Sequence, residues 1–356
     1  MPNIMLTDVC NLRCPYCFAN EFVNKAANEI SIENFKRALD FICTDPNNRR
    51  IGLIGGEPTI HSNLKKLLRI VISDERIDQA TLYTNCISMD KYWDEFSHRK
   101  FGFLINCNSP KDIGEKNFER LKNNLEIMIN QKYMQDRISL GVNFYKPDFD
   151  YSYILELLLK YDFKMVRFAI TVPNLDSQKN TDALLYFEKF KEPIKKFFRT
   201  MLSHKIIPYY DCNKMPACFI TEEDIKEFEE FIPKPIGVKE GEQVPFFSSP
   251  IENAVNNETV HCNPVVDIRH DLTAVRCFGL SEYTKVKISD FECYADLINY
   301  YRNTVDVYAG STCSSAACAD CYRNKTLKCY GGCLAFKIND IMRLRREAEK
   351  IMRQRG

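Results

Sequence analysis

The chain contains 356 residues, enough for one large and one small domain that each bury a core. Its 49 basic and 48 acidic residues give a net charge of +1, which favours neither nucleic acid nor an acidic membrane surface as a partner. No stretch is long and apolar enough to span a bilayer, and the first residues lack the basic start of a signal peptide. We therefore expect a soluble, cytoplasmic protein.

From residue 3 to about residue 205, short β-rich runs alternate with longer segments of helical apolar spacing. The predicted strands cover residues 4–7, 50–55, 80–85, 101–107, 138–144 and 165–171. Helices are predicted between them, with Ser31 and Thr59 as candidate N-cap residues. Alternating β and α units build a parallel sheet with helices outside, and six units predict an α/β fold of the partial (β/α)6 barrel type. Active residues of such barrels lie at the carboxyl ends of the strands.

The rest of the chain is predicted to form a small, cysteine-rich α+β iron-sulfur domain. We assign residues 1–205 to the barrel, 206–339 to this second domain, and 340–356 to a basic C-terminal helix. The last barrel helix is predicted at residues 182–204, with a kink at Pro193. A solvated face explains the charge of the C-terminal helix as well as a binding role does.

The chain has 16 cysteines, and the cytosol keeps thiols reduced, so clustered cysteines indicate metal ligands rather than disulfides. Three lie between residues 10 and 17, and ten lie from Cys212 onward. The remaining three, Cys43, Cys86 and Cys107, are interpreted as small core residues. The sequence thus predicts one metal site near its start and a second metal-binding region near its end.

Cys10, Cys14 and Cys17 directly follow the first predicted strand. Three thiolates at this C-x3-C-x2-C spacing can bind three corners of a four-iron cluster and leave the fourth iron open for a substrate or cofactor. Structural zinc is the alternative, but zinc normally needs a fourth Cys or His nearby. The next cysteine is Cys43 and the first histidine is His61, so the spacing favours an iron-sulfur cluster.

A second motif, Gly55-Gly56-Glu57-Pro58, ends the second predicted strand. Its glycines allow a ligand to approach the backbone closely, and its carboxylate can accept hydrogen bonds from an ammonium group. An ordinary strand-to-helix turn could have the same sequence. Together, however, CNLRCPYC and GGEP resemble the signature of the radical S-adenosylmethionine (radical SAM) enzymes, in which an aromatic residue, here Tyr16, precedes the last cysteine. The resemblance implies that GGEP holds the methionine amino group of SAM.

Polar residues end three further predicted strands. Thr84 and Asn85 look like the "TN" that commonly closes the third strand in these enzymes. The resemblance implies that Asn106 and Asn108 contact the SAM ribose, and Asn143 ends the next strand in a similar position. Polar side chains at these ends also occur where they simply face solvent.

The C-terminal cysteines carry a second resemblance, to the SPASM extension and the shorter twitch extension of radical SAM enzymes. The pattern consists of a cysteine pair spanning a hairpin, then CxxC, then CxxxC with "GGC". It is matched by Cys262 and Cys277, by Cys318 and Cys321, and by Cys329 and Cys333. The resemblance implies one or two auxiliary [4Fe–4S] clusters, while structural zinc is the alternative that the spacing also permits.

This second resemblance has departures. Leu272 stands where the hairpin glycine is usual, and no cysteine follows Cys333, although the family takes a last ligand from near the C-terminus. Cys313 could replace that ligand, and Cys212 or Cys218 could supply an upstream one. These candidates are enough for eight thiolates, and we favour two auxiliary clusters over one because unpaired thiols at this density would be prone to oxidation.

The resemblance implies an oxidoreductase-like enzyme that reductively cleaves SAM and abstracts a hydrogen atom from a substrate, with flavodoxin or ferredoxin as electron donor. We expect a peptide or protein side chain as substrate, in ribosomal peptide maturation. A small metabolite such as an aminocyclitol is the alternative. A sulfatase-maturing role is disfavoured, because those enzymes place an acid where this chain has Phe278. A zinc-bearing or cluster-bearing interaction module is a third, non-enzymatic possibility.

Overall fold

A computed structural model describes most of the chain. The described residues are 1–172 except 18 and 21, 182–209, 215–216, 218–219, 221, 223–224, 262, 264–280, 284–307, 312–326, 329 and 331–337. Cys212 and the predicted helix at 340–356 lie outside them. The chain divides into two compact units. The first contains Met1–Gly141 and Pro264–Asp306, and the second contains Val142–Asn263 and Val307–Gly356.

Strands and helices alternate along the described chain. The strands are β1 (Asn3–Met5), β2 (Arg50–Ile54), β3 (Gln79–Thr84), β4 (Phe101–Asn106), β5 (Ile138–Phe144), β6 (Met165–Ile170), β7 (Ile207–Tyr209), β8 (Asp267–Ile268), β9 (Thr273–Val275) and β10 (Val286–Lys287). The α-helices are α1 (Ile32–Ile42), α2 (Leu64–Ser73), α3 (Trp93–Phe96), α4 (Pro110–Ile113), α5 (Glu115–Glu126), α6 (Ser152–Lys160), α7 (Ala183–Glu188), α8 (Lys191–Ser203), α9 (Tyr294–Tyr301) and α10 (Tyr322–Lys325). All six predicted barrel strands are confirmed, with ends that differ by at most two residues.

The first unit is built on a parallel sheet. Strands β1 to β5 are neighbours in chain order, and each pairs in parallel with the next. Their apolar side chains are fully buried, as at Ile51, Leu82 and Ile105, which is typical of parallel strands covered by helices. Parallel order places the carboxyl ends of β1 to β4 along one edge of the sheet, where the loops with the predicted site residues begin.

The sheet continues beyond β1 through residues that the sequence assigns to the second domain. β8 pairs in parallel with β1, and β9 and β10 follow as antiparallel neighbours. Leu272, in the β8–β9 turn, adopts a left-handed backbone conformation with φ of 62°. This conformation is the one that a glycine adopts without steric cost, which explains why a glycine is usual at this position. The assignment of 206–339 as one auxiliary-cluster domain stays a prediction.

Asp267 joins the added hairpin to β1. It is 1% exposed, accepts a 2.7 Å hydrogen bond from Asn3 Nδ2, and accepts another from the amide of Phe278. Burial raises the pKa of Asp267 to about 7, from 3.8 for an ordinary Asp. The folded protein therefore holds a proton that the unfolded chain has lost, and stability falls as the pH rises from about 4 to about 7.

Asp267→Asn is therefore expected to stabilise the protein at about pH 8, by up to about 4 kcal/mol for three pKa units. The gain should shrink toward about pH 5.5, because the native carboxyl is then largely neutral. Thermal unfolding of both proteins at the two pH values measures this. Asp296→Asn, at an exposed acid in α9, is the matched control and should show no such pH dependence. An equal gain in stability at both pH values would contradict the raised pKa of Asp267.

The second unit packs helices against β6 and β7, which pair in parallel. Its core is aromatic: the rings of Phe144 and Phe197 are 5.1 Å apart, and those of Phe168 and Phe198 are 5.3 Å apart. The prediction of one helix kinked at Pro193 is wrong, because α7 ends at Glu188 and α8 begins at Lys191. Pro193 therefore lies in the first turn of α8, where its missing N–H would have had no helical partner.

Two smaller expectations of the sequence have different outcomes. Ser31 caps α1, since its side chain accepts from the amide of Asn34 at 3.0 Å. Thr59 does not cap α2, which begins after Asn63, because Thr59 lies inside a short 3-10 helix capped by Glu57.

None of the helices in the described ranges is long and apolar enough to cross a membrane.

Candidate active site

The predicted cluster ligands lie in the loop that follows β1. Local hydrogen bonds shape this loop: the amide of Cys10 donates to Asn24 Oδ1 at 2.9 Å, and that of Cys17 donates to the carbonyl of Cys14 at 3.1 Å. Phe22 anchors the end of the loop by stacking on Phe278, with ring centroids 5.7 Å apart. All three thiols remain partly exposed. The loop thus presents three cysteines on a backbone fixed at both ends.

The electrostatics of the three thiols disfavour free thiolates. Burial and, to a smaller extent, the negative charges of Cys10 and Cys17 raise the pKa of Cys14 to about 12. Burial likewise raises the pKa of Cys10 to about 11. Three thiols whose pKa values are all raised by burial are poor free nucleophiles, whereas bound iron would stabilise all of them as thiolates. The donor set therefore fits a metal cluster better than nucleophilic catalysis.

Within the described part of the chain, no three His, Cys, Asp or Glu side chains converge closely enough to hold a single metal ion. A cluster makes a different demand, because each of its thiolates binds a separate iron atom. Spread thiols on one loop are thus compatible with a four-iron cluster.

The GGEP turn lies directly against the loop that follows β1. The amide of Gly56 donates to the carbonyl of Thr7 at 2.7 Å, and that of Glu57 donates to the carbonyl of Val9 at 2.8 Å. A Cβ on Gly56 would lie 2.1 Å from the carbonyl oxygen of Val9, and one on Gly55 would lie 2.5 Å from that of Thr7. The close approach that requires both glycines is therefore to the chain's own backbone.

Glu57 is only 1% exposed, and its carboxylate is held by internal donors. Oε1 accepts from the amide and hydroxyl of Thr59 at 3.0 and 2.7 Å, and from the hydroxyl of Thr84 at 2.7 Å. Oε2 accepts from the amide of Asn85 at 2.7 Å. Burial raises the pKa of Glu57, and these hydrogen bonds oppose that rise. Each carboxylate oxygen offers about two acceptor positions, so Oε1 is fully used by its three donors, and Oε2 retains one position for a bound ammonium group.

Tyr16 and Asn106 lie together beside the cluster loop. Asn106 Nδ2 donates to the hydroxyl of Tyr16 at 3.2 Å, and a hydrogen bond from Tyr16 lowers the pKa of Cys14 against the larger effect of burial. Asn108 is 2% exposed, and its Oδ1 finds no hydrogen-bond donor among the described residues. Such a buried acceptor fits a ligand that brings its own donor, as a ribose hydroxyl or an ammonium group would. Asn143 belongs to the second unit, where its Oδ1 accepts from Arg167 at 3.1 Å.

In the second unit, Cys318 and Cys329 flank Gly331. The amide of Gly331 donates to Cys329 Sγ at 3.2 Å, and the hydroxyl of Ser314 lies 3.8 Å from Cys318 Sγ. Gly331 has φ of 75°, and a Cβ there would lie 2.0 Å from Ser314 Oγ. The "GGC" glycine is thus favoured both by its backbone conformation and by the close approach of Ser314.

Three more cysteines lie near this pair. The pKa of Cys218 is raised to about 11, mainly by burial and to a smaller extent by the charges of Cys329, Cys318 and Cys321. Cys313 Sγ lies 3.9 Å from Asn324 Oδ1, and Asn324 Nδ2 donates to the carbonyl of Cys329 at 3.3 Å. Of the other predicted ligands, Cys262 and Cys333 belong to the same unit, whereas Cys277 belongs to the first unit.

Sequence reasoning missed two features of these sites. One is Asn11, inside the cluster motif, whose Oδ1 accepts from Asn85 Nδ2 at 2.7 Å. The other is Lys337, fully buried in the second unit. Burial lowers the pKa of Lys337, while the charges of Cys313, Cys318 and Cys329 raise it. Lys337 follows Cys333 by four residues, and this spacing did not indicate that the lysine would lie near these cysteines.

Comparison with known proteins identifies the class. Residues 4–174 match the family model described as Radical SAM superfamily. These residues, which make up just under half of the chain, therefore form a radical SAM domain, and members of this superfamily are enzymes that use SAM with an iron-sulfur cluster. The match covers the cluster loop, the GGEP turn and the strands that position them.

Among curated proteins, GTP 3',8-cyclase of Desulforamulus reducens is 37% identical over 84 residues, which are 23% of this chain and 26% of that protein. A 7,8-dihydro-6-hydroxymethylpterin dimethyltransferase of Methanocaldococcus jannaschii is 38% identical over 90 residues, 25% of this chain and 18% of that protein. The chain thus matches only about a quarter and a fifth, respectively, of the length of these two curated relatives.

Solved structures share the fold over nearly the whole chain. Streptococcus suis SuiB bound to S-adenosylmethionine gives a TM-score of 0.60 at 14% identity, covering 94% of this chain and 73% of that one. The protein anSMEcpe with bound AdoMet gives a TM-score of 0.60 at 17% identity, covering 93% of this chain and 88% of that one. At this identity the likeness concerns the fold, a mixed α/β architecture with the parallel sheet of a radical SAM partial barrel.

Proposed function

We propose that the protein reductively cleaves SAM and abstracts a hydrogen atom from a substrate. The observation that carries the proposal is the packing of the GGEP turn against the loop that bears Cys10, Cys14 and Cys17. When bound, the cluster supplies the electron that splits the sulfonium bond of SAM. The three cysteines hold this cluster, Tyr16 and Asn106 support Cys14, and Asn108 offers a buried acceptor to SAM. A flavodoxin or ferredoxin in the cytoplasm is the proposed electron donor.

The proposed substrate is a peptide or protein side chain. The support is a fold shared with SuiB, which was also solved bound to the precursor peptide SuiA, with a TM-score of 0.56 at 16% identity. A small metabolite is the alternative, which the local similarity to GTP 3',8-cyclases favours, because the name of those relatives states a nucleotide substrate. Nothing in the cluster loop or the GGEP turn distinguishes the two, since both elements serve SAM.

The substrate proposal is tested with the reconstituted, reduced enzyme and SAM. A short peptide encoded beside the gene is added in one assay, and a mixture of cyclitols and nucleotides is added in another. We expect 5′-deoxyadenosine to increase with the peptide, together with a change in the peptide's mass. Stimulation by the small molecules alone would instead establish the metabolite alternative.

Auxiliary [4Fe–4S] clusters are part of the proposal. For one of them, the proposed ligands are Cys313, Cys318, Cys321 and Cys329, supported by the contacts that connect Cys313 through Asn324 to Cys329. The hydrogen bond from the Gly331 amide to Cys329 Sγ is of the kind that stabilises a cluster thiolate. Lys337 would place a positive charge near Cys313, Cys318 and Cys329. The second cluster takes its ligands from the remaining candidates, which are Cys212, Cys218, Cys262, Cys277 and Cys333.

Two auxiliary clusters predict roughly twelve irons in anaerobically reconstituted protein, and roughly eight after all three cluster-loop cysteines are changed to Ala. Iron and sulfide analysis measures both values. Cys313→Ser should lower the count by up to about four, because one cluster loses a ligand. Cys293→Ser is the matched control and should leave the count unchanged, because Cys293 is also partly exposed but directly precedes α9 and is not a proposed ligand. A triple variant that saturates near four irons would leave a single auxiliary cluster.

A further inference from the structure

The loop after β3 touches both halves of the proposed SAM site. This loop begins at Asn85, directly after β3, and Asn85 is 6% exposed. Its amide donates to Glu57 Oε2 in the GGEP turn at 2.7 Å. Its side-chain Nδ2 donates to Asn11 Oδ1 in the cluster loop, also at 2.7 Å. One residue thus bonds to the turn through its backbone and to the loop through its side chain.

The side chain of Asn85 is itself fixed. Its Oδ1 accepts from the amide of Ile87 at 3.1 Å, which closes a local turn and orients Nδ2 toward the cluster loop. Asn11 is held in turn by Ser88, whose hydroxyl accepts from Asn11 Nδ2 at 3.3 Å. Each polar group of the two amides named here therefore has a partner, so the link between the loops has a single orientation.

Asn11 is the residue next to Cys10, and its Oδ1 lies 4.0 Å from Cys10 Sγ. The Asn11 side chain thus lies beside the first cluster ligand. We propose that Asn85 is a positioning residue that holds Asn11, and with it Cys10, at a fixed place relative to the GGEP turn. This inference rests on the proposed function, because it assigns to the network the alignment of the cluster with the turn that receives SAM.

The test uses Asn11→Ala, Asn85→Ala and the double variant, each as reconstituted holoenzyme. The electron paramagnetic resonance (EPR) spectrum of the reduced cluster is recorded with and without SAM, after subtraction of the spectrum of the variant that lacks Cys10, Cys14 and Cys17. Calorimetry gives the Kd for SAM. Asn117→Ala, which removes a 2.8 Å hydrogen bond to the carbonyl of Ile113, is the matched control.

We expect each single variant to weaken SAM binding roughly fivefold, as the loss of one hydrogen bond predicts, and to shift the SAM-free spectrum. The loss in the double variant should be clearly smaller than the product of the two single losses, because both changes break the shared bond between Asn85 and Asn11, although each also removes one bond of its own, to Ile87 or to Ser88. Iron content should equal that of the wild type, and the control should match the wild type in all measurements. Multiplying losses, or an unshifted spectrum in Asn85→Ala, would overturn the positioning role. A wild-type protein that does not bind SAM would instead refute the proposed function, and the SAM-free spectrum would still decide the role of Asn85.

Discussion

Replacing Cys10, Cys14 and Cys17 together with Ala is expected to abolish the formation of 5′-deoxyadenosine from SAM. The reason is that no cluster can be held in the loop after β1, so the electron that splits the sulfonium bond is not delivered. The fold should persist, since the three thiols are only partly buried and the loop retains its anchor, Phe22 stacked on Phe278. Chromatographic detection of 5′-deoxyadenosine after reduction with dithionite measures the loss.

The control for this experiment is Cys43→Ala. Cys43 is also partly exposed, but it ends α1 and lies outside the cluster loop. It should retain both the activity and the iron of the wild type. If the triple variant still produced 5′-deoxyadenosine at the wild-type rate, these three cysteines would not hold the SAM-binding cluster, whatever the iron content of the protein.

Glu57→Ala is expected to weaken SAM binding at least tenfold. The variant removes the acceptor of four buried hydrogen bonds, from Thr59, Thr84 and Asn85, and with it any charge-assisted bond to the methionine ammonium. One such charged bond contributes about 1.5–3 kcal/mol to SAM binding. Each buried donor left unpaired lowers the stability of the protein by about 1 kcal/mol. Calorimetric titration with SAM measures the affinity, and thermal unfolding measures the accompanying loss of stability.

Thr59→Val separates these contributions, because it removes one hydroxyl donor and leaves the carboxylate and its charge in place. Its SAM affinity should remain within about threefold of the wild type, because the carboxylate keeps its charge and Oε1 still accepts from the amide of Thr59 and the hydroxyl of Thr84. Equal affinity of Glu57→Ala and wild type would show that GGEP is an ordinary turn in this protein. An equally large loss in Thr59→Val would show that the turn's shape, rather than the charge of Glu57, governs binding.

The sequence alone was sufficient wherever the information is local. Each barrel strand is a short apolar run, and the structure confirms all six because burial on both faces depends on composition within the run. The cysteine motif could be read in the same way, since three ligands within eight residues lie on one loop whatever surrounds it. Local reading also has limits, as Pro193 shows, because whether a proline kinks a helix or starts one depends on where the previous helix ends.

The tertiary structure decided which distant residues meet. Asn11 and Asn85 are 74 positions apart, and only the parallel order of β1, β2 and β3 brings the loops after β1 and β3 to the two sides of the GGEP turn. The glycines of that turn were interpreted as space for a ligand, but in the structure they accommodate the backbone at Thr7 and Val9. Asn3 and Asp267 likewise meet only because β8 extends the sheet beyond β1. Spacing along the chain encodes a loop's own ligands, whereas contacts between loops depend on strand order and register, which no local pattern specifies.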